Sequence, residues 1–410
     1  AAGMTDCHTM RFIVKLDLNQ VVPVGDGIYT ECESSTPGTP TFGEGLYNQS
    51  SLDVNEDGIE DEIREDCGDI PYLHHEKSLI SIDHTGPYAY QVKYEVVVTN
   101  SGGAIGQYTL EDEPGFENDI IILGSSYSSD IPLNPGGTLS VTGPWTLAND
   151  QLIAAGGVHT YIITVNVLMD LGNISPGGDG IYTSCGSSLP GDPDFGEGLY
   201  NQSKLDYNDD GNWDEYSEAC GDLPYVTHEK QIDQVVQTGA RAWDVYYHII
   251  VRNLGGATGE YTLSDQPHFD DDIVIVNGNY NSTAPGVAGG SLNGNGPWTL
   301  GSNVLINKGA IHDYNIVLGV TMDLLDPTSA GDEIYNPCET VTPGYCKPGE
   351  GLYNKSFLDL NDDGTYEEKD EACEDLPFIT HEKELAGITP AGTNMWEVTY
   401  NINVSNIGGT

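Results

Sequence analysis

Three short acidic loops carry the residues best suited to chemistry. They read DVNEDGIEDE from Asp53, DYNDDGNWDE from Asp206 and DLNDDGTYEE from Asp359. In each loop, alternate side chains offer oxygen atoms that can converge on one ion, and a central glycine permits the sharp turn. Oxygen ligands without sulfur favour Ca²⁺ over zinc. Each loop is therefore predicted to bind one calcium ion.

The predicted ligands occupy the first, third, fifth and ninth positions of each loop, together with the backbone carbonyl at the seventh position. They are Asp53, Asn55, Asp57, Ile59 and Asp61 in the first loop, Asp206, Asn208, Asp210, Asn212 and Asp214 in the second, and Asp359, Asn361, Asp363, Thr365 and Glu367 in the third.

This spacing matches an EF-hand loop up to the ninth position and departs from it at the twelfth, where a bidentate Glu is expected. Arg64, Ser217 and Asp370 stand there instead, and no flanking helices are predicted. The loops resemble the calcium loops of dockerin and thrombospondin type 3 repeats. The alternative is an ordinary acidic turn. Candidates for a remaining ligand are Glu65, Glu218 and Glu371, or Glu44, Glu197 and Glu350 in the GEG segments.

The loops belong to a longer repeat. GEGLYN starts at residues 43, 196 and 349, which are 153 apart, and the HEK motifs that contain His75, His228 and His381 keep the same interval. Several landmarks that share one interval without an insertion indicate a tandem repeat. The chain opens inside one copy and closes inside another. We interpret it as a window of a longer array, or as a processed piece of one.

The sequence within one period favours strands. Tyr90–Asn100 reads YQVKYEVVVTN, which alternates apolar and polar residues before a Gly-Gly turn. About seven such segments with turn signals between them are typical of a Greek-key sandwich, and no segment has a helical period. We therefore predict an all-β chain of tandem immunoglobulin-like sandwiches. Trp145 and Trp298, both in GPWTL, are expected in the core.

The charge of the chain limits its partners. It has 64 acidic and 14 basic residues, with a formal net charge of −50. Nucleic-acid binding needs clustered Lys and Arg, so nucleic acid is not expected as a partner. Self-repulsion of this size is relieved by bound cations or by salty surroundings. No apolar run reaches the length of a membrane span, and no signal peptide is visible, so we expect no membrane insertion in this segment.

Six of the eight cysteines recur as pairs 35 residues apart, and each pair brackets one acidic loop: Cys32 and Cys67, Cys185 and Cys220, Cys338 and Cys373. We predict three disulfides, which imply an oxidising, extracellular setting. Each would stabilise by about 3–4 kcal/mol in the chain-entropy model. Free thiols are the alternative. Cys7 and Cys346 lie outside the repeat and are predicted to form an intermolecular disulfide.

The copies also resemble a known family. A lysine followed by Y-x-V-x-V-x-N-x-G-G, Y-T-L-x-D-x-P, H-x-Y-x-I and G-L-Y-N is similar to the Ig-like conserved repeat domains of large bacterial surface proteins, especially giant adhesins of the Bacteroidota type. The resemblance implies stalks and adhesins rather than enzymes. It places G-L-Y-N in the last strand, so domains are expected at 1–67 (partial), 68–220, 221–373 and 374–410 (partial). Calcium at each boundary would stiffen the joint.

In Ig-like pilus and adhesin domains, a first-strand Lys can bond covalently to a last-strand Asn with the help of a buried acid. The resemblance implies that Lys77, Asn201 and Asp112 form one such set, and that Lys230, Asn354 and Asp265 form another. The alternative is an exposed strand lysine and a turn asparagine. A rival use of these amides is N-glycosylation, because Asn48, Asn201 and Asn354 all begin sequons.

These observations favour a structural role. We expect an extracellular or cell-surface filament, stalk or adhesin that is stiffened by Ca²⁺ and disulfides and that associates with itself. A surface-layer lattice protein is one alternative, and a glycan-binding module of a larger secreted protein, with surface glycans as partners, is another. No nucleophile elbow, phosphate loop or open metal site is visible in the sequence, so an enzyme is not expected.

Overall fold

A computed structural model describes residues 4–16, 18, 27–32, 42–171, 178–186, 194–208, 210–325, 331–339, 347–360 and 364–409. Every regular element in these ranges is a β-strand, which confirms the predicted all-β class. Among the same residues there is no helix that could cross a membrane.

The chain divides into two compact units. One comprises Ala1–Asp83, Tyr90–Leu168 and Cys185–Gly221, and the other comprises His84–Ala89, Met169–Ser184 and Asp222–Thr410. The longest segment of the second unit begins at Asp222, one residue after the predicted boundary at 220/221.

The first unit opens with the hairpin β1 (Asn48–Leu52) and β2 (Glu62–Asp66). Its main strands are β3 (Leu73–Gly86), β4 (Ala89–Asn100), β5 (Gly106–Pro114), β6 (Ile120–Ser129), β7 (Gly136–Leu139), β8 (Trp145–Ile153), β9 (Val158–Met169), β10 (Asn201–Asp206) and β11 (Glu215–Ala219). They form a five-stranded sheet in the order β3-β4-β9-β6-β7 and a four-stranded sheet in the order β11-β10-β5-β8.

The second unit repeats this plan. Its strands are β12 (Val226–Gly239), β13 (Ala242–Asn253), β14 (Gly259–Pro267), β15 (Ile273–Ser282), β16 (Gly290–Leu292), β17 (Trp298–Ile306), β18 (Ile311–Met322), β19 (Asn354–Asp359) and β20 (Glu368–Ala372). The sheet orders are β12-β13-β18-β15-β16 and β17-β14-β19-β20. A last hairpin, β21 (Ile379–Gly392) and β22 (Met395–Asn406), ends the described chain.

The core of each unit is built from alternate residues of its strands. Along β13, every second side chain from Trp243 to Val251 is buried, and the residues between them are half-buried. Successive side chains of a strand point to opposite faces, so one face of each sheet supplies the core. In the second unit, side chains of both sheets form one apolar cluster. Trp145 and Trp298 are 2% and 8% exposed, as predicted for core residues.

The first and last described segments of the chain are incomplete copies of the repeat, and they lack some of the strand neighbours that the two units have. Residues 4–16 occupy the repeat positions of β18 but form no strand. In the second unit, β18 is held between β13 and β15, and the described chain places no such neighbours beside residues 4–16. The hairpin of β21 and β22 does form, because its two strands pair with each other.

Truncation of a core leucine should destabilise the second unit. Leu318 is fully buried on β18, so Leu318→Ala removes apolar contacts and leaves a cavity, which we expect to cost about 2–5 kcal/mol. Leu305→Ala on β17 is the control, because Leu305 is 62% exposed. Denaturant unfolding measures both, and equal midpoints for the two variants would contradict the described core.

Candidate functional site

A buried lysine joins the two sheets of each unit. Lys77 on β3 donates from Nζ to Asp112 Oδ2 on β5, and both side chains are 0% exposed. Lys230 on β12 forms the equivalent bond to Asp265 Oδ1 on β14, again with both side chains fully buried. The predicted lysine–acid pairs are therefore brought together in both units, and the alternative of an exposed strand lysine does not apply to them.

The predicted asparagines lie beside these pairs. In the second unit, Asn354 Nδ2 donates to Asp265 Oδ2 at 3.0 Å, and Asn354 Oδ1 has no hydrogen-bond partner. In the first unit, neither the oxygen nor the nitrogen of the Asn201 amide has a partner. Buried amide atoms without a hydrogen-bond partner are costly, so their presence in both copies needs an explanation.

Strand register fixes the position of these amides. Ser203 on β10 lies opposite Asp112, and Asn201 lies opposite Pro114. Residues two apart on a strand share a face, so Asn201 is a diagonal neighbour of Asp112. Ser356 and Asn354 on β19 have the same relation to Asp265 and Pro267 on β14.

Burial also sets the protonation of the lysines. Loss of hydration lowers the pKa of Lys77 and of Lys230, and the neighbouring Asp opposes this shift. Each ammonium lies over an aromatic face, at 4.9 Å from the ring centre of Tyr94 and 5.0 Å from that of Tyr247. In the last hairpin, Lys383 lies 4.3 Å from the ring centre of Tyr400. A lowered lysine pKa increases the fraction of neutral, nucleophilic amine.

The same burial bears on the glycosylation hypothesis. Asn201 and Asn354 are 0% exposed, so the folded units leave no space for a glycan on either amide. Glycosylation at these two residues stays a prediction, and in the folded units it has no exposed amide to act on. Asn48 is exposed and keeps that possibility.

The HEK histidines form hydrogen bonds across the two sheets. His75 Nε2 lies 3.0 Å from Ser203 Oγ, and His228 Nε2 lies 2.9 Å from Ser356 Oγ. His228 Nδ1 lies 3.7 Å from Glu368 Oε1 on β20. The histidines thus help to join the first strand of each unit to its last two strands.

The acidic loops connect the strands of the hairpins β1–β2, β10–β11 and β19–β20. In the first loop, Asp53 Oδ2 accepts the N–H of Gly58 at 2.8 Å, and Asn55 Oδ1 accepts that of Asp57 at 2.9 Å. These backbone donors, Gly58 foremost, lower the pKa of Asp53. Gly58 has a φ of +84°, which glycine adopts without strain. The second loop repeats the Asp206–Gly211 and Asn208–Asp210 bonds.

The ninth position closes each loop in the same way. Asp61 accepts the N–H of Val54 at 2.7 Å, Asp214 that of Tyr207 at 3.0 Å, and Glu367 that of Leu360 at 2.7 Å. Asp359 accepts the N–H of Gly364, but Asn361 and Asp363 lie outside the described residues. Carboxylates arranged in this way fit the oxygen ligands that Ca²⁺ prefers. The other predicted ligands lie in the same acidic loops: Asp57 and Ile59 in the first, Asp210 and Asn212 in the second, and Thr365 in the third.

The residues at the twelfth position and the glutamate candidates for a remaining calcium ligand have other partners. Ser217 and Asp370, at the twelfth position, accept the backbone N–H groups of Lys77 and Lys230. Glu65 and Glu371 accept hydrogen bonds from the hydroxyl groups of Tyr47 and Tyr353. Glu197 and Glu350 accept backbone N–H groups near their own GEG segments. Ser217 and Asp370 therefore connect the hairpins to β3 and β12, and the glutamates hold turns and strands near the hairpins.

The structure forms the three predicted disulfides. Cys32–Cys67, Cys185–Cys220 and Cys338–Cys373 have Cα–Cα distances of 6.0, 6.1 and 6.2 Å. Three disulfides indicate an oxidising environment. Cys7 is exposed and unpaired, and its predicted partner Cys346 lies outside the described residues, so the intermolecular bond stays a prediction.

Sequence reasoning missed a tyrosine contact beside each disulfide. Tyr335 donates to Asp375 Oδ1 at 3.0 Å and accepts the N–H of Leu376 at 2.8 Å. Tyr29 and Tyr182 hold Asp69 and Asp222 in the same way. The signal was present in the sequence, since each tyrosine stands three residues before the first cysteine of a pair.

Removal of one such hydroxyl should destabilise the second unit. Tyr335 is 9% exposed, so Tyr335→Phe leaves the buried N–H of Leu376 without its acceptor and leaves Asp375 Oδ1 with the N–H of Cys338 as its remaining donor. We expect a loss of about 1–3 kcal/mol in unfolding free energy. Tyr366→Phe removes a hydroxyl from a residue that is 40% exposed and serves as control. Chemical denaturation measures the unfolding midpoints of the two variants. Equal midpoints would show that the Tyr335 hydroxyl does not stabilise the unit.

Comparison with known proteins assigns no family to the chain. No family model matches it, and neither does any curated protein. Among solved structures, an exo-chitosanase from Amycolatopsis orientalis is 8% identical, with 76% of this chain and 28% of the other covered and a TM-score of 0.17. Red sea bream transglutaminase is 8% identical, with 69% of this chain and 29% of the other covered and a TM-score of 0.16. A collagen adhesin from S. aureus is also 8% identical, with 82% of this chain and 94% of the other covered and a TM-score of 0.18. The chain spans less than a third of the first two, and TM-scores this low carry no argument.

Proposed function

We propose that this chain is a structural module of an extracellular, self-associating filament or stalk, in which each repeat is held together by covalent bonds and Ca²⁺. The observation that carries the proposal is the recurrence, in both units, of a fully buried lysine and acid next to an asparagine amide with unsatisfied atoms. Such a set has the parts needed for an intramolecular amide bond. The disulfide of each repeat adds a second covalent link.

The bond forms by exchange of one amine for another at the asparagine amide. A proton passes from the lysine ammonium to the adjacent Asp, which leaves a neutral Lys Nζ with a free electron pair. Nζ attacks Cγ of the Asn, and a new C–N bond forms. The Asp returns the proton to the departing nitrogen, so the old C–N bond breaks and ammonia leaves. The ammonia takes up the second proton that Nζ still carries and departs as ammonium, so Nζ keeps the single hydrogen of an amide. No oxidant or cofactor is needed, because every group comes from the chain.

The intact mass of the reduced, denatured chain tests this bond. We expect a mass lower than that of the sequence by two molecules of ammonia, one each for Lys77–Asn201 and Lys230–Asn354. Asp265→Ala removes the proton carrier of the second unit, so the deficit should fall to one ammonia. The first unit then serves as an internal control. Branched Lys–Asn peptides in a digest locate the bonds, and a chain of full mass would refute them.

Calcium is the second part of the proposal. Ca²⁺ in the three acidic loops would order the hairpins that end each repeat and would offset part of the net charge of −50. The residues that would hold it are the loop carboxylates and amides described above. Asp206 and Asp359 are 5% and 3% exposed, so an ion at either would be partly shielded from water.

The last hairpin has one apolar face that no described residue covers. Trp396, Val398, Tyr400, Ile402 and Val404 on β22 are 44–69% exposed. Their repeat equivalents on β4, Tyr90, Val92, Tyr94, Val96 and Val98, are at most 7% exposed. A contiguous apolar face of this kind marks an association surface or an aggregation hazard. We propose that strands of a further repeat cover it in the assembled filament.

Electron microscopy of the assembled chain, with and without a chelator, tests the filament and its calcium. Straight filaments are expected in Ca²⁺, and they should soften or disperse after chelation. The variant Asp53→Asn/Asp206→Asn/Asp359→Asn removes one charge from the first position of each loop and should resemble the chelated sample even in Ca²⁺. Particles that do not assemble under any condition would refute the filament, and filaments indifferent to both treatments would refute the calcium joints.

A further inference from the structure

A second acidic cluster lies outside the predicted calcium loops, immediately before β15. It contains Asp270, Asp271 and Asp272, and one carboxylate oxygen of each lies within 4.8 Å of the others. Asp270 and Asp272 are 1% and 2% exposed, whereas Asp271 is exposed. Among the described residues, no Lys, Arg or His forms an ion pair with Asp270 or Asp272. Buried carboxylates without a paired cation are rare in folded proteins.

The two buried carboxylates are held by the segment at 331–336. Asp270 Oδ2 accepts the backbone N–H of Asn336 at 2.8 Å and its side-chain amide at 3.1 Å. Asp272 Oδ1 accepts the N–H of Glu333 at 3.3 Å. Gly331 has a φ of +113°, and a Cβ there would lie 2.2 Å from Asp272 Oδ1. The backbone therefore approaches the carboxylate as closely as a glycine permits.

One atom of the cluster stays without a partner. Asp272 Oδ2 is buried and has no hydrogen bond. An unsatisfied buried carboxylate oxygen costs more than an unsatisfied neutral group, because the charge loses its hydration. Burial raises the pKa of both Asp270 and Asp272; the charge of Asp271 acts in the same direction on both, and that of Asp332 on Asp272. This atom is thus a vacant ligand position in an otherwise ordered group.

An open cavity lies next to the acidic cluster. This cavity of about 710 Å³ in the second unit is lined by Asp271, Asp332, Asn336, Glu339 and Glu350, among others. Its acidic walls raise the local concentration of cations. Asp271, Asp332 and Asn336 line the cavity and lie next to the buried pair, so the cavity brings cations from solvent to the edge of the cluster.

We propose that Asp270 and Asp272, with Asp271 and Asp332, bind a hard divalent cation such as Ca²⁺, at a site separate from the three acidic loops. All available donors are oxygen atoms, which hard cations require. The ion supplies the partner that Asp272 Oδ2 lacks and offsets the charge of the two buried carboxylates. It also fixes the segment 331–336 against the start of β15, two residues before the disulfide at Cys338.

The first unit has related residues at the equivalent positions. Glu117 and Asp119, one period before Asp270 and Asp272, are each 2% exposed. Asp119 donates its N–H to Glu117 Oε2 at 2.8 Å, as Asp272 does to Asp270 Oδ1 at 3.0 Å. An acidic pair that stays buried in both units, with Glu in one and Asp in the other, indicates a role that depends on charge rather than on side-chain length.

Calorimetric titration of Ca²⁺ into the full chain tests the site. The background is Asp53→Asn/Asp206→Asn/Asp359→Asn, which weakens the acidic loops. Addition of Asp272→Asn, which keeps the shape of the side chain, should lower the number of bound ions by one. Glu260→Gln is the matched control, since Glu260 is exposed on β14 of the same unit and loses the same charge. An unchanged stoichiometry in the folded Asp272→Asn chain overturns the proposal.

A second measurement needs no variant and covers the case in which Asp272→Asn does not fold. Fe²⁺ takes the place of Ca²⁺ in the unaltered chain, and peroxide with ascorbate then cleaves the backbone near the bound iron. Cuts are expected next to Asp272 and within 331–336, and excess Ca²⁺ should suppress them. Cuts in the acidic loops give separate fragments, so the two kinds of site are distinguished. An intact backbone at both segments overturns the proposal.

Discussion

The buried ion pair between the first strand and the opposite sheet is the contact on which the rest of each unit depends. Lys77 and Asp112, like Lys230 and Asp265, join one sheet of a sandwich to the other. Such a pair adds little net stability over an apolar pair, but removal of one partner is strongly destabilising. The pair therefore specifies one arrangement of the sheets. Strand register places an asparagine of the neighbouring strand beside each pair, and in the second unit its amide donates to the acid.

Management of negative charge is the second constraint. Within the described chain, acidic side chains are stabilised by backbone N–H groups, by hydrogen bonds from tyrosine hydroxyls, and by Lys and Arg side chains, which include a buried lysine in each core. With a formal net charge of −50, these devices leave most of the repulsion in place. The proposed cations would act where the acids are densest, which links the stability of the units to the ionic composition of the medium.

Much of the fold and of the candidate site could be predicted from the sequence, because a residue that recurs at the same repeat position in several copies stands out from its neighbours. The interval identified the paired cysteines and the recurring lysine, and the family resemblance implied the acid and the asparagine that accompany each lysine. Alternation predicted the strands. Burial could not be inferred in the same way, so the sequons at Asn201 and Asn354 looked accessible. The role of Ser217 and Asp370 was also missed, because their partners lie 140 residues away in sequence. Asp270 and Asp272 were missed since an acidic turn only becomes unusual once it is known to be buried.

The disulfides have a consequence for the lifetime of the chain. Each closes a ring of 35 residues that contains one acidic loop, and the loop is among the most exposed parts of its hairpin. Exposed loops are where extracellular proteases cut first. A cut inside any of the three rings leaves its two fragments joined through the cysteines. The protein can therefore lose a peptide bond at each of its most vulnerable positions and still remain one connected molecule.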